Sequence, residues 1–194
     1  MLFNSYQLIF IFLPLVLVVF FQLARVGHAH AAGALALASL FFYGYWSPAY
    51  VGLLSASIAC NYAFGSLIAN SKGKRIFSPE RLLFVAISAN LLLLAYYKYA
   101  NFFLQSVNSA AGSRLSLGEI ILPLGISFFT FTQITFLVDT YQGKVKECSF
   151  IHYALFVTYF PHLIAGPILH HKEMMPQFAQ STTYRFNSHL SGRF

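Results

Sequence analysis

Charged residues are scarce in this chain. Only 9% of its 194 residues are Asp, Glu, Lys or Arg, whereas 58% are hydrophobic. An average soluble domain is about 25% charged and about 45–50% apolar. Because a soluble protein of this size could not cover its surface with so few charges, the composition excludes an ordinary water-soluble domain and predicts an integral membrane protein.

Acidic residues and cysteines are rarer still. The five Asp and Glu residues form no pair of the kind that acid–base catalysis uses, and Cys60 and Cys148 suggest neither a disulfide framework nor a metal site. The sequence contains no G-x-S-x-G elbow, P-loop, G-x-G-x-x-G loop or H-E-x-x-H helix. We therefore predict no bound cofactor and no metal, and the common soluble enzyme classes are excluded.

The basic residues give the chain a formal net charge of +7. They lie in short segments between apolar runs, as they do in the cytoplasmic loops of membrane proteins, so we interpret them as topology and predict no nucleic-acid partner. If the most basic segment, residues 70–81, is cytoplasmic, then Arg25 and the Lys144/Lys146 loop share its side. The N-terminus, the Ser47-Pro48 turn and residues 101–117 then lie outside.

Long apolar runs dominate the remainder. The pattern predicts an all-α integral membrane protein with about six transmembrane or re-entrant helices. The first run follows no positively charged segment, so we expect a retained span with a kink at Pro14 and not a signal peptide. We predict helix starts at Ser78-Pro79-Glu80 and at a capping box, Ser116-x-x-Glu119. The six runs are residues 6–24, 31–46, 49–69, 82–104, 120–138 and 150–169.

Several of these runs contain residues that predict their surroundings. The aromatic cluster at residues 41–46 is typical of a membrane interface, and Lys98 is expected to reach the interface from near the end of the fourth run. Small residues in the third run favour close helix packing. Hydroxyl and amide groups in the fifth run should face protein or a wet cavity, because lipid offers them no partner. These small and polar residues are Gly52, Ser55, Ala56, Ala59, Ala63 and Gly65, then Ser127, Thr130, Thr132, Gln133 and Thr135.

Histidines next to Pro–Gly breaks are the candidate site residues. Pro161 and the Gly166-Pro167 pair interrupt the sixth run and free backbone groups that need protein or water as partners, and ionisable groups near such breaks often mark a substrate path. His162 is equally well explained as a packing residue, and the His170-His171 pair as interfacial residues. Adjacent residues on a helix do not face each other, so shared metal binding by that pair is not expected.

Other ionisable residues have a simpler interpretation. We predict that Asp139, Glu147 and His152 belong to a solvated loop, and that His28 and His30 merely precede a span. None of the five is predicted to be catalytic.

Three stretches resemble a known family. MLFNSYQLIFIFLP, LPLGISFFTFTQITFLVDTYQGKVKE and FPHLIAGPILHHKEMMPQF are similar to segments of the membrane-bound O-acyltransferase family, in its bacterial alginate O-acetyltransferase-like branch. The resemblance covers residues 1–187. It implies a larger, funnel-shaped helical bundle in the bacterial cytoplasmic membrane that transfers an acyl group, usually acetyl, from acetyl-CoA or an acyl carrier to an exported polysaccharide such as alginate.

The same resemblance implies roles for particular residues. In the family the catalytic histidine lies in a later part of the chain, so we expect it beyond Phe194 and assign no catalytic residue here. The PHLIAGPI region resembles part of the funnel wall. We therefore expect a lining role for its residues and for the two histidines that follow, namely Pro161, His162, Gly166, Pro167, His170 and His171.

Members of the family are longer than this chain. We therefore expect residues 1–194 to be the N-terminal part of one membrane domain, truncated and inactive alone. Its expected partners are membrane lipids, the polysaccharide acceptor and membrane or periplasmic acetylation proteins. A transporter or channel fragment, or a non-catalytic scaffold of a secretion complex, are the alternatives; a transporter would be expected to show inverted repeats, and none is visible.

Overall fold

The computed structural model describes residues 6, 8–46, 48–71, 78–111, 121–145 and 149–159. Within these residues the chain is helical and has no strand, which confirms the predicted all-α class. A π-helical segment, Leu8–Phe12, leads into the first of six α-helices. The helices are α1 (Leu13–Val26), α2 (His28–Trp46), α3 (Pro48–Ser71), α4 (Pro79–Ala111), α5 (Ile126–Tyr141) and α6 (Phe150–Thr158).

Length and hydropathy make two of these helices long and apolar enough to cross a membrane. They are α3 and α4, with α4 counted from Pro79 to Ser109, and a shorter apolar helix covers Phe10–Val26. Many large apolar side chains are also exposed on the bundle; on α4, Phe84 is 73% exposed and Leu92 is 70% exposed. Such faces are costly in water and suit a hydrocarbon solvent.

Proline sets the start of two helices. Pro48 opens α3 directly after the end of α2 at Trp46, and Pro79 opens α4, whose first turn is closed by hydrogen bonds from the Arg81 and Leu82 amides to the Ser78 carbonyl. Proline fits the first helical turn because its missing N–H has no intrahelical partner there. The helix start predicted at Ser78-Pro79-Glu80 is confirmed, and α3 begins at Pro48, whereas Ser47 of the predicted turn lies outside the described residues.

The kink at Pro14 stays a prediction, and a π-helical segment lies directly before α1, whose second residue is Pro14. Because the Pro14 ring clashes with the carbonyl four residues earlier and donates no hydrogen bond, the preceding turn widens into Leu8–Phe12.

The fifth helix begins later than predicted. The predicted capping box, Ser116-x-x-Glu119, lies outside the described residues, but the helix that it was expected to open begins only at Ile126, since residues 121–123 are not helical. A turn begins at Pro123, where the Pro123 carbonyl accepts a hydrogen bond from the Ile126 amide. Gly125, in the same turn, takes a left-handed conformation (φ 69°) just before the helix. Residues other than glycine rarely adopt that conformation. Gly125 therefore sets the helix boundary that the hydrophobic pattern placed at residue 120.

Helix α4 is longer than its apolar run. It has 33 residues and so extends about 50 Å, compared with about 30 Å for the hydrocarbon core of a bilayer. Lys98 lies about 29 Å along the helix from Pro79; it is exposed, with its Nζ 5.5 Å from the centre of the Tyr99 ring. Beyond Lys98 the helix continues through residues 101–111, which the sequence assigned to a polar loop.

The helices pack in two groups that share α3. Helix α1 lies on α2, which also contacts α6 and α3, while α3, α4 and α5 contact one another. The main core includes Phe136 of α5, whose ring centre lies 4.2 Å from that of Tyr153 on α6. Gly65 of α3 sits directly against Phe136, because a Cβ added there would lie 2.5 Å from its Cε1. A side chain on α3 at this position would push α5 away.

Other sequence predictions need correction. The aromatic cluster is not wholly interfacial, since Phe42 and Tyr43 are buried in the core. Asp139 is buried in the last turn of α5, and His152 lies in the first turn of α6, so neither belongs to a solvated loop. His28 and His30 are exposed residues in the first turn of α2. Glu147 and Cys148 lie outside the described residues.

Candidate functional site

The polar residues of α5 divide by helix face. Thr130, Thr132 and Gln133 are buried, which confirms that the polar face of this helix points into protein. Thr135 is half-buried and Ser127 is exposed, so for Ser127 only the alternative of a wet cavity stays open, as a prediction. The buried part of this face meets α3 and α4, the two helices that are long enough to span a membrane.

A cluster of amides joins the three helices. Gln133, which has no exposed surface, accepts two hydrogen bonds at Oε1: one from Ser57 Oγ at 2.7 Å and one from Asn61 Nδ2 at 2.8 Å. Asn61 and Asn90 pair in turn through their amides, with Asn90 Nδ2 donating to Asn61 Oδ1 at 2.6 Å and Asn61 Nδ2 lying 3.2 Å from Asn90 Oδ1. We call Ser57, Asn61, Asn90 and Gln133 the amide cluster.

Two members of the amide cluster are also tied to their own helices. Asn61 Nδ2 is 2.9 Å from the Ser57 carbonyl on α3, and Asn90 Nδ2 donates to the Ala86 carbonyl at 2.8 Å on α4. These bonds fix the direction of each amide. In a bundle surrounded by lipid, interhelical hydrogen bonds of this kind hold the rotation and register of the helices.

The hydrogen-bond capacity of the cluster is unevenly used. Asn61 Nδ2 has two hydrogens but four acceptors within reach, whereas both hydrogens of Gln133 Nε2 lack a partner among the described residues. Thr130 Oγ1, one turn earlier on α5, is likewise buried without a partner in this part of the chain. Thr132 and Thr140 instead bond to the carbonyls four residues before them. Buried polar atoms normally have hydrogen-bond partners. Thr130 and Gln133 therefore form a polar spot in the interior of the described bundle, with hydrogen-bonding capacity that the described residues do not use.

A groove runs beside the amide cluster on the outer side of α3 and α4. Its volume is about 230 Å³, below the range of about 300–1,000 Å³ that is typical of small-molecule sites. Most of its wall is apolar, and Ser57, Asn61 and Asn90 contribute the polar part. We call it the α3–α4 groove; its residues are Leu53, Ala56, Ser57, Cys60, Asn61 and Phe64 on α3, and Ala86, Ala89, Asn90 and Leu93 on α4.

The chemistry available to the amide cluster is limited to binding and orientation. Amide and hydroxyl groups donate and accept hydrogen bonds, but they do not exchange protons near neutral pH, so none of the four residues can serve as a general base. In the described residues, no three His, Cys, Asp or Glu side chains lie close enough to hold a metal ion. A proton-transfer step would need a residue from another part of the protein.

The residues predicted from the Pro–Gly breaks lie outside the described part of the chain. This applies to all six, Pro161, His162, Gly166, Pro167, His170 and His171. Their lining role remains a prediction.

The sequence reasoning missed Asn61 and Asn90. A signal was present, because each amide interrupts a run of more than ten apolar or small residues, and a polar residue inside such a run needs an internal partner. Their pairing could not be read from the sequence. Residues 61, 90 and 133 are far apart along the chain, and only the rotation of each helix brings them together.

Several known proteins are similar to this chain over almost its whole length. A peptidoglycan O-acetyltransferase from Helicobacter pylori is 38% identical over 96% of this chain. Probable alginate O-acetylases AlgI from Azotobacter vinelandii and Pseudomonas aeruginosa are 36% and 35% identical, each over 94% of the chain. The match covers 40%, 37% and 35% of those three proteins, respectively. No protein-family profile and no solved structure matches the chain.

These relationships confirm the resemblance in the sequence. Over almost its whole length the chain is homologous to proteins named as O-acetyltransferases of bacteria. Within that class, its relatives include proteins named for peptidoglycan and for alginate, and it spans about 40% or less of their length.

Proposed function

We propose that this chain is part of a multi-pass enzyme of the bacterial cytoplasmic membrane that transfers an acetyl group to hydroxyls of an exported polysaccharide. The observation that carries the proposal is the 38% identity to an O-acetyltransferase over 96% of the chain. The related alginate O-acetylases support the same reaction class. Because these relatives are much longer, the proposed activity belongs to a larger polypeptide that includes this sequence.

The surface of the bundle supports the membrane location. Helix α4 presents large apolar side chains along its length, and only a small share of its apolar stretch is covered by the rest of the bundle. Removing such a surface from water is favourable by about 25 cal/mol per Å². Helices α1, α2, α5 and α6 would complete the multi-pass arrangement around α3 and α4.

The reaction itself would use a general base. In the proposed mechanism, a histidine beyond Phe194 removes the proton of an acceptor hydroxyl while the hydroxyl oxygen attacks the carbonyl of an acetyl thioester. The thiol of acetyl-CoA or of an acyl carrier then leaves, and an acetyl ester remains on the polysaccharide. A water-poor tunnel would protect the donor from hydrolysis.

The residues of this chain would supply the wall of that tunnel. The amide cluster would hold α3, α4 and α5 in register, and residues 161–171 would line the funnel as the resemblance implies. Membrane lipids and partner proteins of an acetylation complex would surround it. The names of the relatives make alginate and peptidoglycan the two acceptor classes to test first.

Deletion of the gene and complementation test the proposal. Acetyl esters on cell-envelope polysaccharide are released with mild alkali and quantified as acetate in the parent, the deletion strain and two complemented strains. One strain receives the complete reading frame of the locus, and the other receives residues 1–194 alone. We expect at least a tenfold loss of ester on deletion, restored by the complete frame but not by residues 1–194.

Two controls make the result specific. A variant of the complete frame that lacks its downstream membrane histidine should be expressed in the membrane but should restore no ester. If the deletion leaves the ester content of every polysaccharide unchanged, the proposed function is wrong. If residues 1–194 alone restore it, the catalytic base has been placed in the wrong part of the protein.

A further inference from the structure

The outer faces of α3 and α4 differ in the size of their side chains. On α4 the exposed residues are large, with Phe84, Leu92 and Phe103 all more than 60% exposed. On α3, residues of the α3–α4 groove and of the face next to it are also exposed, yet almost all are small. They are Gly52, Ser55, Ala56, Ala59, Cys60 and Ala63.

This difference distinguishes a helix partner from lipid. Large side chains fill space against mobile acyl chains, whereas small residues in membrane helices concentrate where a second helix approaches closely. No described contact explains the small residue at Gly52, since a Cβ there would meet nothing within 4 Å. Glycine inside a helix costs about 1 kcal/mol relative to alanine.

The α3–α4 groove adds an independent feature to this face. Its apolar wall bounds a space of about 230 Å³, enough for side chains but below the usual size of a ligand pocket. Both hydrogens of Asn90 Nδ2 are already used, and Ser57 Oγ donates to Gln133. The groove therefore offers little to a polar ligand and is best filled by apolar side chains, in the way that the ridge of one helix fits between two others.

We propose that the α3–α4 groove is the docking site for a further transmembrane helix of the same polypeptide, which carries apolar side chains into the groove and small residues against α3. The occupant is drawn from the part of the protein that this chain does not include. The matched relatives are about two and a half times as long as the portion that aligns here, so they hold enough sequence for more spans. The proposal rests on the proposed function in that it assumes the same larger polypeptide.

Photo-cross-linking in native membranes tests the occupant directly. A p-benzoyl-phenylalanine is placed at position 64 in the complete polypeptide, because Phe64 lines the groove and is already aromatic. The matched control carries the same probe at position 84, on the exposed face of α4. After irradiation, mass spectrometry identifies the adducts.

We expect the probe at position 64 to cross-link to an apolar peptide of the same polypeptide outside residues 1–194, at a yield at least tenfold above that of the probe at position 84. The probe at position 84 should give lipid adducts. Lipid adducts alone at position 64, cross-links confined to residues 1–194, no cross-link, or a peptide from a second copy or another protein would each overturn the proposal.

A tryptophan pair gives a second readout. Ala56→Trp should lower the folded membrane yield of the complete polypeptide at least fivefold, because the indole would occupy the docking site, whereas Leu92→Trp on α4 should leave the yield unchanged. Equal yields for the two variants would contradict a helix at this face. Both readouts are independent of acetyl transfer. If the cross-link forms in a complete polypeptide that transfers no acetyl group, the docking site is supported and the proposed function is refuted.

Discussion

Asn61, Asn90 and Gln133 place amide groups inside helices that are otherwise apolar, and the consequence depends on whether each group finds a partner. A buried amide that loses its partner costs about 1–3 kcal/mol, whereas the net contribution of an interhelical hydrogen bond in a membrane averages about 0.6 kcal/mol. The reciprocal Asn61–Asn90 pair should therefore matter most when only one side is removed.

A double-mutant cycle tests that pair. We expect Asn61→Leu and Asn90→Leu each to lower the free energy of unfolding by about 1–2 kcal/mol, because each leaves the other amide without its closest partner. The double variant should lose less than the sum of the two, by about 0.5–1.5 kcal/mol. Unfolding in detergent micelles, followed by helical circular dichroism, measures all four proteins. Strict additivity would show that the two amides do not interact.

Sequence reasoning works well for single residues when their chemistry decides the outcome. Thr130, Thr132 and Gln133 were predicted to point into protein because lipid cannot satisfy them, and they do. It failed for Asp139, whose charge suggested solvent although the last turn of α5 buries it. The sequence assigned Asp139 to a loop after the fifth apolar run, but α5 continues to Tyr141, and its packing against the neighbouring helices buries this side chain.

At the scale of helices, α3 and α5 touch most closely where Gly65 meets Phe136. The Phe136 ring has little room to move away from residue 65, because it also packs on Tyr153 of α6. The position of α5, and with it the amide cluster, therefore depends on the absence of a side chain at residue 65.

Gly65→Ala should consequently destabilise the fold despite the better helix propensity of alanine. We expect a loss of about 1–3 kcal/mol, typical of an overpacked core. Gly33→Ala on α2 is the matched control, because a Cβ there meets nothing within 4 Å and should be neutral or stabilising by up to about 1 kcal/mol. The combination Gly65→Ala with Phe136→Leu should recover part of the loss. The same micelle unfolding assay measures them, and a neutral Gly65→Ala would show that the contact is not close.

The boundaries of helices were predictable where proline sets them and not where glycine does. Pro48 and Pro79 open helices as expected, because a proline ring restricts the backbone wherever it occurs. Gly125 can take almost any conformation, so its positive φ is chosen by the surrounding chain and cannot be read from the sequence. The length of α4 was underestimated for a related reason: the apolar run ends where the hydrocarbon core would end, but the backbone of the helix continues.

At the scale of the whole molecule, the basic loops predict one orientation in the membrane. Residues 70–81 form the most basic loop and should be cytoplasmic, and α4 should then emerge on the opposite side near residue 111. Alkaline phosphatase fused after residue 75 should be inactive, whereas a fusion after residue 112 should be at least tenfold more active, because the enzyme folds only outside the cytoplasm. Equal activities would refute the crossing by α4, and the reverse order would invert the topology.

The class of the fold followed from composition and apolar runs, and the proposed class of reaction followed from the resemblance of three long stretches. The arrangement of the helices did not, because contacts such as Gln133 to Ser57 join parts of the chain that no local pattern relates. The relatives named as O-acetyltransferases extend far past the aligned portion, and the expected position of the catalytic histidine beyond Phe194 stays a prediction.

Acetyl transfer by isolated membranes is a direct test of the proposed enzymatic function. Membranes from the deletion strain, with and without the complete reading frame, are given acetyl-CoA labelled in the acetyl group, and alkali-labile label on envelope polysaccharide is counted. We expect label at least tenfold above background only when the complete frame is present, and its loss when the downstream histidine is replaced. Equal labelling with and without the frame would contradict the proposed role in polysaccharide O-acetylation.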